Sequence, residues 1–235
     1  MPFLTNDPKM TSYLSFAFTV LVWWLSTGSL VFALGMIVML LIHEMGHYYA
    51  AIFKGVPVSP PVFTPFGAFI LTPPNANAKE EAFVALAGPV AGSVAALIAY
   101  LAGVVTNNMM LLQIAHWGFL INLFNLIPLS PLDGGRISMV IERRLWIVGA
   151  PLLVLAFFQF GMNMYNMFFF ALIGMQAYQD VIQREQQARF NPRYFAVGAT
   201  TRLQYGAAYG GLALFLIWTY LYPSALYQLL RGFGL

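Results

Sequence analysis

Near its start the sequence contains a long stretch without any charged side chain, from Met10 to Ile42. As one straight helix this stretch would be about 50 Å long, whereas the hydrocarbon core of a bilayer is about 30 Å thick. The chain must therefore turn back within the stretch, and the cluster Ser-Thr-Gly-Ser at 26–29 is the only polar site for that turn. Two membrane-spanning helices are predicted, over 11–27 and 30–53.

The composition supports lipid as the solvent for most of the surface. Hydrophobic residues make up 60% of the 235 residues and charged residues only 8%, with a mean hydropathy of +0.74; soluble domains contain about 25% charged residues. The length fits one membrane domain over 1–235, without a second soluble domain. The net charge of +3 includes no dense basic run, so no nucleic acid partner is expected. The absence of cysteine excludes thiolate metal ligands.

Further apolar stretches predict additional spans at 81–105, 109–128, 145–160, 163–183 and 203–222. Between the second and third spans, 54–80 is rich in proline and cannot form a regular helix. Its apolar residues favour a re-entrant or β-like segment packed on the protein at membrane depth. The predicted fold is an all-α polytopic membrane protein with about 6–7 transmembrane helices.

The basic residues predict the orientation. With the N-terminus in the cytoplasm, every lysine and arginine except Arg231 falls on the cytoplasmic side, in agreement with the positive-inside rule. Residues 184–202 are then a cytoplasmic loop whose arginines face anionic headgroups. The expected location is a prokaryotic cell membrane, with the active-site opening also on the cytoplasmic side.

The second predicted span ends with the motif His-Glu-x-x-His at 43–47. His43 and His47 share one helix face, so both imidazoles can bind one metal ion. Glu44 lies about 100° further round the helix, where it can take a proton from a metal-bound water. The motif also occurs by chance in many proteins. Ionisable groups in an apolar helix are costly, however, and usually functional.

A catalytic zinc site needs a third protein ligand, and two residues are candidates. Asp133 is the only acidic residue between Glu81 and Glu142, and His116 is the only other histidine. The predicted topology places Asp133 at the membrane depth of the motif. His116 precedes Asp133 by 17 residues, about 25 Å along a helix, and so lies toward the outer side. Asp133 is therefore predicted as the ligand, and His116 as a packing or hydrogen-bonding residue.

The motif Asn-x-x-Pro-x-x-x-Leu-Asp-Gly-Gly spans 125–135. Together with His-Glu-x-x-His on an earlier span, it resembles the site-2 protease family of intramembrane zinc metalloproteases. The resemblance covers 30–145, the three-helix catalytic core of that family, and is to a compact form without a PDZ or CBS domain. Ala-Gly-Pro at 87–89 matches a further family element, whereas Gly92 stands where the family more often has asparagine.

The resemblance implies a set of residue roles. His43, His47 and Asp133 would bind one zinc ion per chain, and Glu44 would be the general base. Asn125 would hold the substrate carbonyl or its oxyanion; the alternative is a hydrogen bond that braces the broken helix.

The function implied is a zinc metalloendopeptidase that hydrolyses peptide bonds of transmembrane or membrane-inserted proteins, as in regulated intramembrane proteolysis. Its expected partners are such a protein or peptide substrate, the lipid bilayer and an unidentified regulatory partner. Thr64 to Leu71 resembles an edge segment that captures extended substrate by β-augmentation; the alternative is a lipid-facing loop.

Other functions are compatible with parts of the pattern. A non-proteolytic zinc-binding membrane protein or a metal transporter would share the ligands, but a transporter usually has ionisable residues along several spans. Here they cluster at one depth, with His116 as the exception. A lipid-modifying di-iron oxygenase needs more than the 3 histidines present, and no serine is paired with a histidine in a recognisable hydrolase pattern.

Overall fold

The computed structural model describes residues 8–64, 67–70, 77–161 and 164–232. Within them the α-helices are α1 (Pro8–Thr27), α2 (Leu30–Phe53), α3 (Ala78–Val105), α4 (Met109–Asn125), α5 (Asp133–Ile141), α6 (Trp146–Phe160), α7 (Met164–Phe190), α8 (Ala199–Leu221) and α9 (Pro223–Gly232). Two short antiparallel strands follow α2, namely β1 (Val62–Thr64) and β2 (Gly67–Phe69). Turns of 3₁₀ helix lie at Arg143–Leu145 and Pro192–Phe195. The predicted all-α fold class is confirmed.

Local sequence sets the ends of the core helices. Gly28 has φ +70°, a conformation that glycine adopts without steric cost, and it ends α1. Ser29 then caps α2 by accepting a hydrogen bond from the backbone N–H of Phe32. Asn77 and Asn108 cap α3 and α4 in the same way. The turn predicted at 26–29 therefore has its physical basis in one glycine and one serine.

Three helices form the centre of the molecule. α2 packs along α3, α3 packs along α4, and the short helix α5 lies against α3 and α8. Small residues at the contacts, such as Ala85, Ala96 and Ala115, are fully buried, which lets the helix backbones approach closely. The main core cluster also includes Phe119 of α4 and Leu216 of α8. This packing fixes α2, α4 and α5 around α3.

The outer surface of the helices is apolar. Leu25, Ile98, Leu155 and Leu214 are each more than 60% exposed, and such extensive apolar exposure marks contact with lipid or a partner. Among the described residues, two helices are long and apolar enough to cross a membrane, at Leu30–Phe53 and Ala78–Thr106, with mean hydropathies of 1.8 and 2.0. The apolar helix at Met109–Asn125 is shorter.

Several element boundaries differ from those predicted. α7 continues to Phe190, so residues 184–190 of the predicted loop are helical, because this stretch consists largely of good helix formers. The helix ends before Asn191 and Pro192, where proline interrupts the backbone hydrogen bonding. The helices α5 and α9 were not predicted; both are short, with 9 and 10 residues, and each begins immediately after a break in the apolar pattern.

The proline-rich segment is described in part. β1 pairs with β2 so that Phe63 lies opposite Ala68, whereas residues 65, 66 and 71–76 lie outside the described part. The prediction for Thr64 to Leu71 therefore falls only partly on described residues.

The antiparallel packing of α2 and α3 predicts a sidedness that can be tested. Lys54, just after α2, and Asn107, just after α3, should lie on opposite sides of the membrane. Because the sequence has no cysteine, Lys54→Cys and Asn107→Cys each give a single label site. An impermeant maleimide applied to intact cells should label the cysteine at 107, and the cysteine at 54 only after permeabilisation. Labelling of both in intact cells would contradict the two-span packing.

Candidate metal centre

Four ionisable side chains meet in the interior between α2 and α5. His43, Glu44 and His47 come from α2 and Asp133 from the first turn of α5, and each is between 3% and 7% exposed. The His43 Nε2 and Asp133 Oδ2 atoms are 3.1 Å apart, and the His47 Nε2 and Asp133 Oδ2 atoms 3.2 Å apart. The two Nε2 atoms are 3.1 Å apart. The structure thus brings the predicted ligands from two distant parts of the chain to one point.

The spacing of these three atoms fits a zinc ion. In tetrahedral zinc sites the nitrogen and oxygen ligands lie about 2.0–2.2 Å from the metal, which places neighbouring ligand atoms about 3.3–3.5 Å apart. The observed separations of 3.1 to 3.2 Å approach this value. Two imidazoles and one carboxylate also match the ligand types of catalytic zinc sites, which leave a fourth position open.

A backbone carbonyl of α3 orients His47. The His47 Nδ1 atom lies 2.8 Å from the carbonyl oxygen of Val84, which can only accept a hydrogen bond, so Nδ1 donates its proton. Gly88, one turn further along α3, packs directly on the imidazole, and a Cβ at this position would collide with the ring. The predicted Ala-Gly-Pro element therefore serves to bring α3 close to the second histidine.

A side chain of α4 orients His43. The His43 Nδ1 atom lies 2.9 Å from the Asn122 Oδ1 atom, and the Asn122 Nδ2 atom donates to the carbonyl oxygen of Gly118 at 2.7 Å. A Cβ at Gly92 would collide with the Asn122 amide. Gly92 thus leaves room for Asn122 from the neighbouring helix. This is the position at which the sequence comparison expected asparagine more often.

These hydrogen bonds determine which atoms of His43 and His47 face Asp133. Because both Nδ1 atoms donate, both Nε2 atoms of the neutral imidazoles present lone pairs. Two lone pairs and a carboxylate oxygen then face one another in a buried space, an arrangement that a cation stabilises. The geometry therefore supports a metal site on an observation independent of the motif.

Glu44 lies beside this group and is available for proton transfer. Its carboxylate and the ring nitrogens of His43 and His47 lie within 4.8 Å of one another. No other described side chain or backbone group forms a hydrogen bond with the Glu44 carboxylate. A buried carboxylate that is not engaged, next to a metal position, is what a general base requires.

Backbone packing holds Asp133 at the start of α5. Gly134 and Gly135 pack directly on the turn that joins α4 to α5, where a Cβ would collide with the backbone of Leu126 and Ser130. The Tyr209 hydroxyl of α8 donates to the carbonyl oxygen of Leu126. Because both positions lack a Cβ, the turn can pack closely on the start of α5, and Tyr209 of α8 supports the turn.

Two other predicted residues form no hydrogen bond with the ligand cluster within the described part of the chain. Asn125 is the last residue of α4 and half-buried, and within the described residues its side chain forms no hydrogen bond. His116 stacks on Tyr220 of α8 with ring centroids 6.2 Å apart, and lines a cavity of about 470 Å³ between α4 and α9. Asn122, which contacts His43, was missed because it lies in no motif; its spacing of one helical turn before Asn125 was the available signal.

Comparisons with known proteins agree with this geometry. Residues 31–114 match the family model of Peptidase family M50. A "Putative zinc metalloprotease Rip3" of Mycobacterium tuberculosis is 34% identical over an alignment of 137 positions that covers 54% of this chain. The resemblance to the site-2 protease family is confirmed. Zinc is the metal that this relationship implies.

The solved structures add a comparison of folds. The "Site-2 Protease from Methanocaldococcus jannaschii" superposes with a TM-score of 0.51 and 21% identity, over 72% of this chain and 88% of that chain. At this identity the match shows a common fold. The aligned part is only 33% of the length of the mycobacterial relative, so the chain spans about a third of that protein.

The two asparagines of α4 allow a matched test of the site. Asn122→Ala removes the acceptor for the His43 Nδ1 proton, and loss of such a partner typically weakens metal binding about 10- to 100-fold. Asn125→Ala, one turn away on the same helix, should leave zinc affinity unchanged. Competition against a chelating indicator measures both. Equal zinc affinity in the two variants would contradict the role given to Asn122.

Proposed function

We propose that this chain is an intramembrane zinc metalloprotease that hydrolyses peptide bonds of transmembrane or membrane-inserted proteins, as in regulated intramembrane proteolysis. The observation that carries the proposal is the convergence of His43, His47 and Asp133 within 3.1 to 3.2 Å, with Glu44 beside them. The family match and the printed name of the mycobacterial relative, a putative zinc metalloprotease, support the same reaction.

Each residue has a defined task in this reaction. His43, His47 and Asp133 would hold the zinc ion, which when bound acidifies water and polarises a carbonyl group. Glu44 takes a proton from the attacking water and returns it to the leaving amine. Asn125, at the end of α4, would hold the carbonyl oxygen of the scissile bond. Its side chain has no partner among the described residues, so it is available for such a contact.

The two strands suggest where an extended substrate would bind. On the β1 side, the Phe63 backbone N–H donates to Ser15 Oγ at 3.1 Å, and Ser12 Oγ donates to the carbonyl oxygen of Pro61 at 2.6 Å. Side chains of α1 therefore occupy the outer edge of β1. The sheet has two strands within the described residues, so the edge that can accept a substrate strand is that of β2.

The proposal includes the membrane topology that the sequence predicts for the chain. About 6–7 spans with a cytoplasmic N-terminus would place residues 30–145, the catalytic core, with its opening toward the cytoplasm. His43 and His47 lie in the C-terminal half of α2, which ends just before Lys54, one of the residues expected on that side. Water would then reach the site from the cytoplasm.

The proposal predicts that one substitution abolishes catalysis while zinc binding is retained. Glu44→Gln removes the base but none of the three ligands, so the purified protein should retain zinc while cleavage of a single-span peptide falls at least ~100-fold. Cleavage is measured by peptide fragments in reconstituted vesicles, and zinc by elemental analysis.

Two comparisons control this experiment. Glu80→Gln makes the same chemical change on α3, away from the ligand cluster, and should cleave at the normal rate. Retention of cleavage by Glu44→Gln would rule out the mechanism. Zinc transport into sealed vesicles by that variant, without cleavage by the unaltered protein, would instead favour a metal transporter.

A further inference from the structure

One ion pair outside the ligand cluster links α5, which carries Asp133, to the central helix α3. The Arg136 Nε atom of α5 lies 3.2 Å from the Glu81 Oε1 atom of α3, and both side chains are about four-fifths buried. The Tyr194 hydroxyl donates to the other carboxylate oxygen of Glu81. Both oxygens of one carboxylate are thus engaged, by two different parts of the chain. No task in the proposed reaction accounts for these contacts.

The position of the pair relates it to the metal ligands. Glu81 lies one helical turn before Val84, whose carbonyl oxygen orients His47. Arg136 lies one turn after Asp133 on α5. Residues three apart lie on the same side of a helix. The ion pair therefore joins α3 to α5 one turn away from the point at which His47 and Asp133 meet.

Tyr194 is itself firmly placed. It belongs to the 3₁₀ turn between α7 and α8 and is only 6% exposed, in a cluster with Ala78 and Ala82 of α3 and Met139 and Val140 of α5. A partly buried ion pair is weak when its groups can rotate freely. A tyrosine fixed between the same two helices removes that freedom from the Glu81 carboxylate.

A second contact, from the first turn of α8, holds the C-terminal end of α5. The Arg202 Nη1 atom donates to the carbonyl oxygen of Ile141 at 3.0 Å, and its Nε atom to that of Val197 at 3.2 Å. A cation at the C-terminal end of a helix is favourable to its dipole. The Arg136–Glu81 pair and the Arg202 contact at Ile141 therefore tie this nine-residue helix to α3 and to α8.

We infer that Glu81, Arg136 and Tyr194 are positioning residues that set the distance between His47 and Asp133. The chain of contacts runs from His47 to Val84, along α3 to Glu81, across to Arg136, and along α5 to Asp133. A displacement of α5 against α3 changes the separation of 3.2 Å between the two ligand atoms. This inference rests on the proposed function in so far as Asp133 is a metal ligand.

The test measures metal release from the whole 235-residue chain rather than cleavage. Protein loaded with zinc in detergent is mixed with excess chelating indicator, and the rate of zinc transfer is recorded. Glu81→Gln should release zinc on the order of 10-fold faster, in the range of other outer partners of metal ligands, and Tyr194→Phe should release it several-fold faster. Arg136→Gln combined with Glu81→Gln should be no faster than Glu81→Gln alone, because the two residues act as one unit.

Matched controls separate positioning from general stability. Glu80→Gln changes the neighbouring residue of the same helix, and Tyr178→Phe removes a hydroxyl from a tyrosine that is 70% exposed; both should release zinc at the normal rate. Cobalt-loaded Glu81→Gln should show an altered visible absorption spectrum, since its ligand geometry is relaxed. A lower melting temperature with unchanged zinc release and cobalt spectrum would overturn the inference and leave only a structural role.

The outcome is independent of whether the protein cleaves peptides. Absence of cleavage by the unaltered protein would contradict the proposed function, yet the order of zinc release rates would still test the positioning residues. Conversely, normal cleavage together with zinc release from Glu81→Gln and Tyr194→Phe equal to that of the controls would overturn the inference alone.

Discussion

The convergence of three electron-pair donors inside an apolar helix bundle is the constraint around which this structure is arranged. Taking a carboxylate out of water costs several kcal/mol even after relaxation, on the order of the whole stability of a small domain. That desolvation free energy is offset only if a cation lies between Asp133 and the two histidines or a proton is shared among them. Because both Nδ1 atoms already donate to α3 and α4, a metal ion satisfies the group best.

The surrounding packing follows from this requirement. Each predicted ligand has one contact that fixes its orientation: Val84 for His47, Asn122 for His43, and the glycine-packed turn for Asp133. α3 has a part in all of them, since it supplies the carbonyl oxygen, the space for the Asn122 amide and the helix against which α5 packs. This explains why α3 is the centre of the bundle although it carries none of the predicted ligands.

Much of the site could be predicted from the sequence because it depends on local spacing. Two histidines four residues apart must share a helix face, and a lone acidic residue after a proline-broken span had few competitors. The glycine at 88 was visible as part of a motif. Its purpose, close approach to the His47 ring, needed the three-dimensional packing.

Other features depend on contacts between distant parts of the chain, which no local pattern encodes. Asn122 lies 79 residues from His43, and Tyr194 lies 113 residues from Glu81. The short helix that carries Asp133 was missed because its nine residues are less apolar than a span and are held by neighbouring helices. The number of spans stays a prediction, since only two described helices meet the criteria of length and hydropathy.

The most direct test of the account is zinc K-edge X-ray absorption on the purified protein. We expect about one zinc ion per chain with four nitrogen or oxygen neighbours at about 2.0–2.2 Å, two of them imidazoles. Asp133→Asn should lower the zinc content or alter this spectrum, whereas Glu44→Gln should preserve both. A protein without bound zinc, or a zinc spectrum unchanged by Asp133→Asn, would contradict the central claim that α2 and α5 together hold the metal.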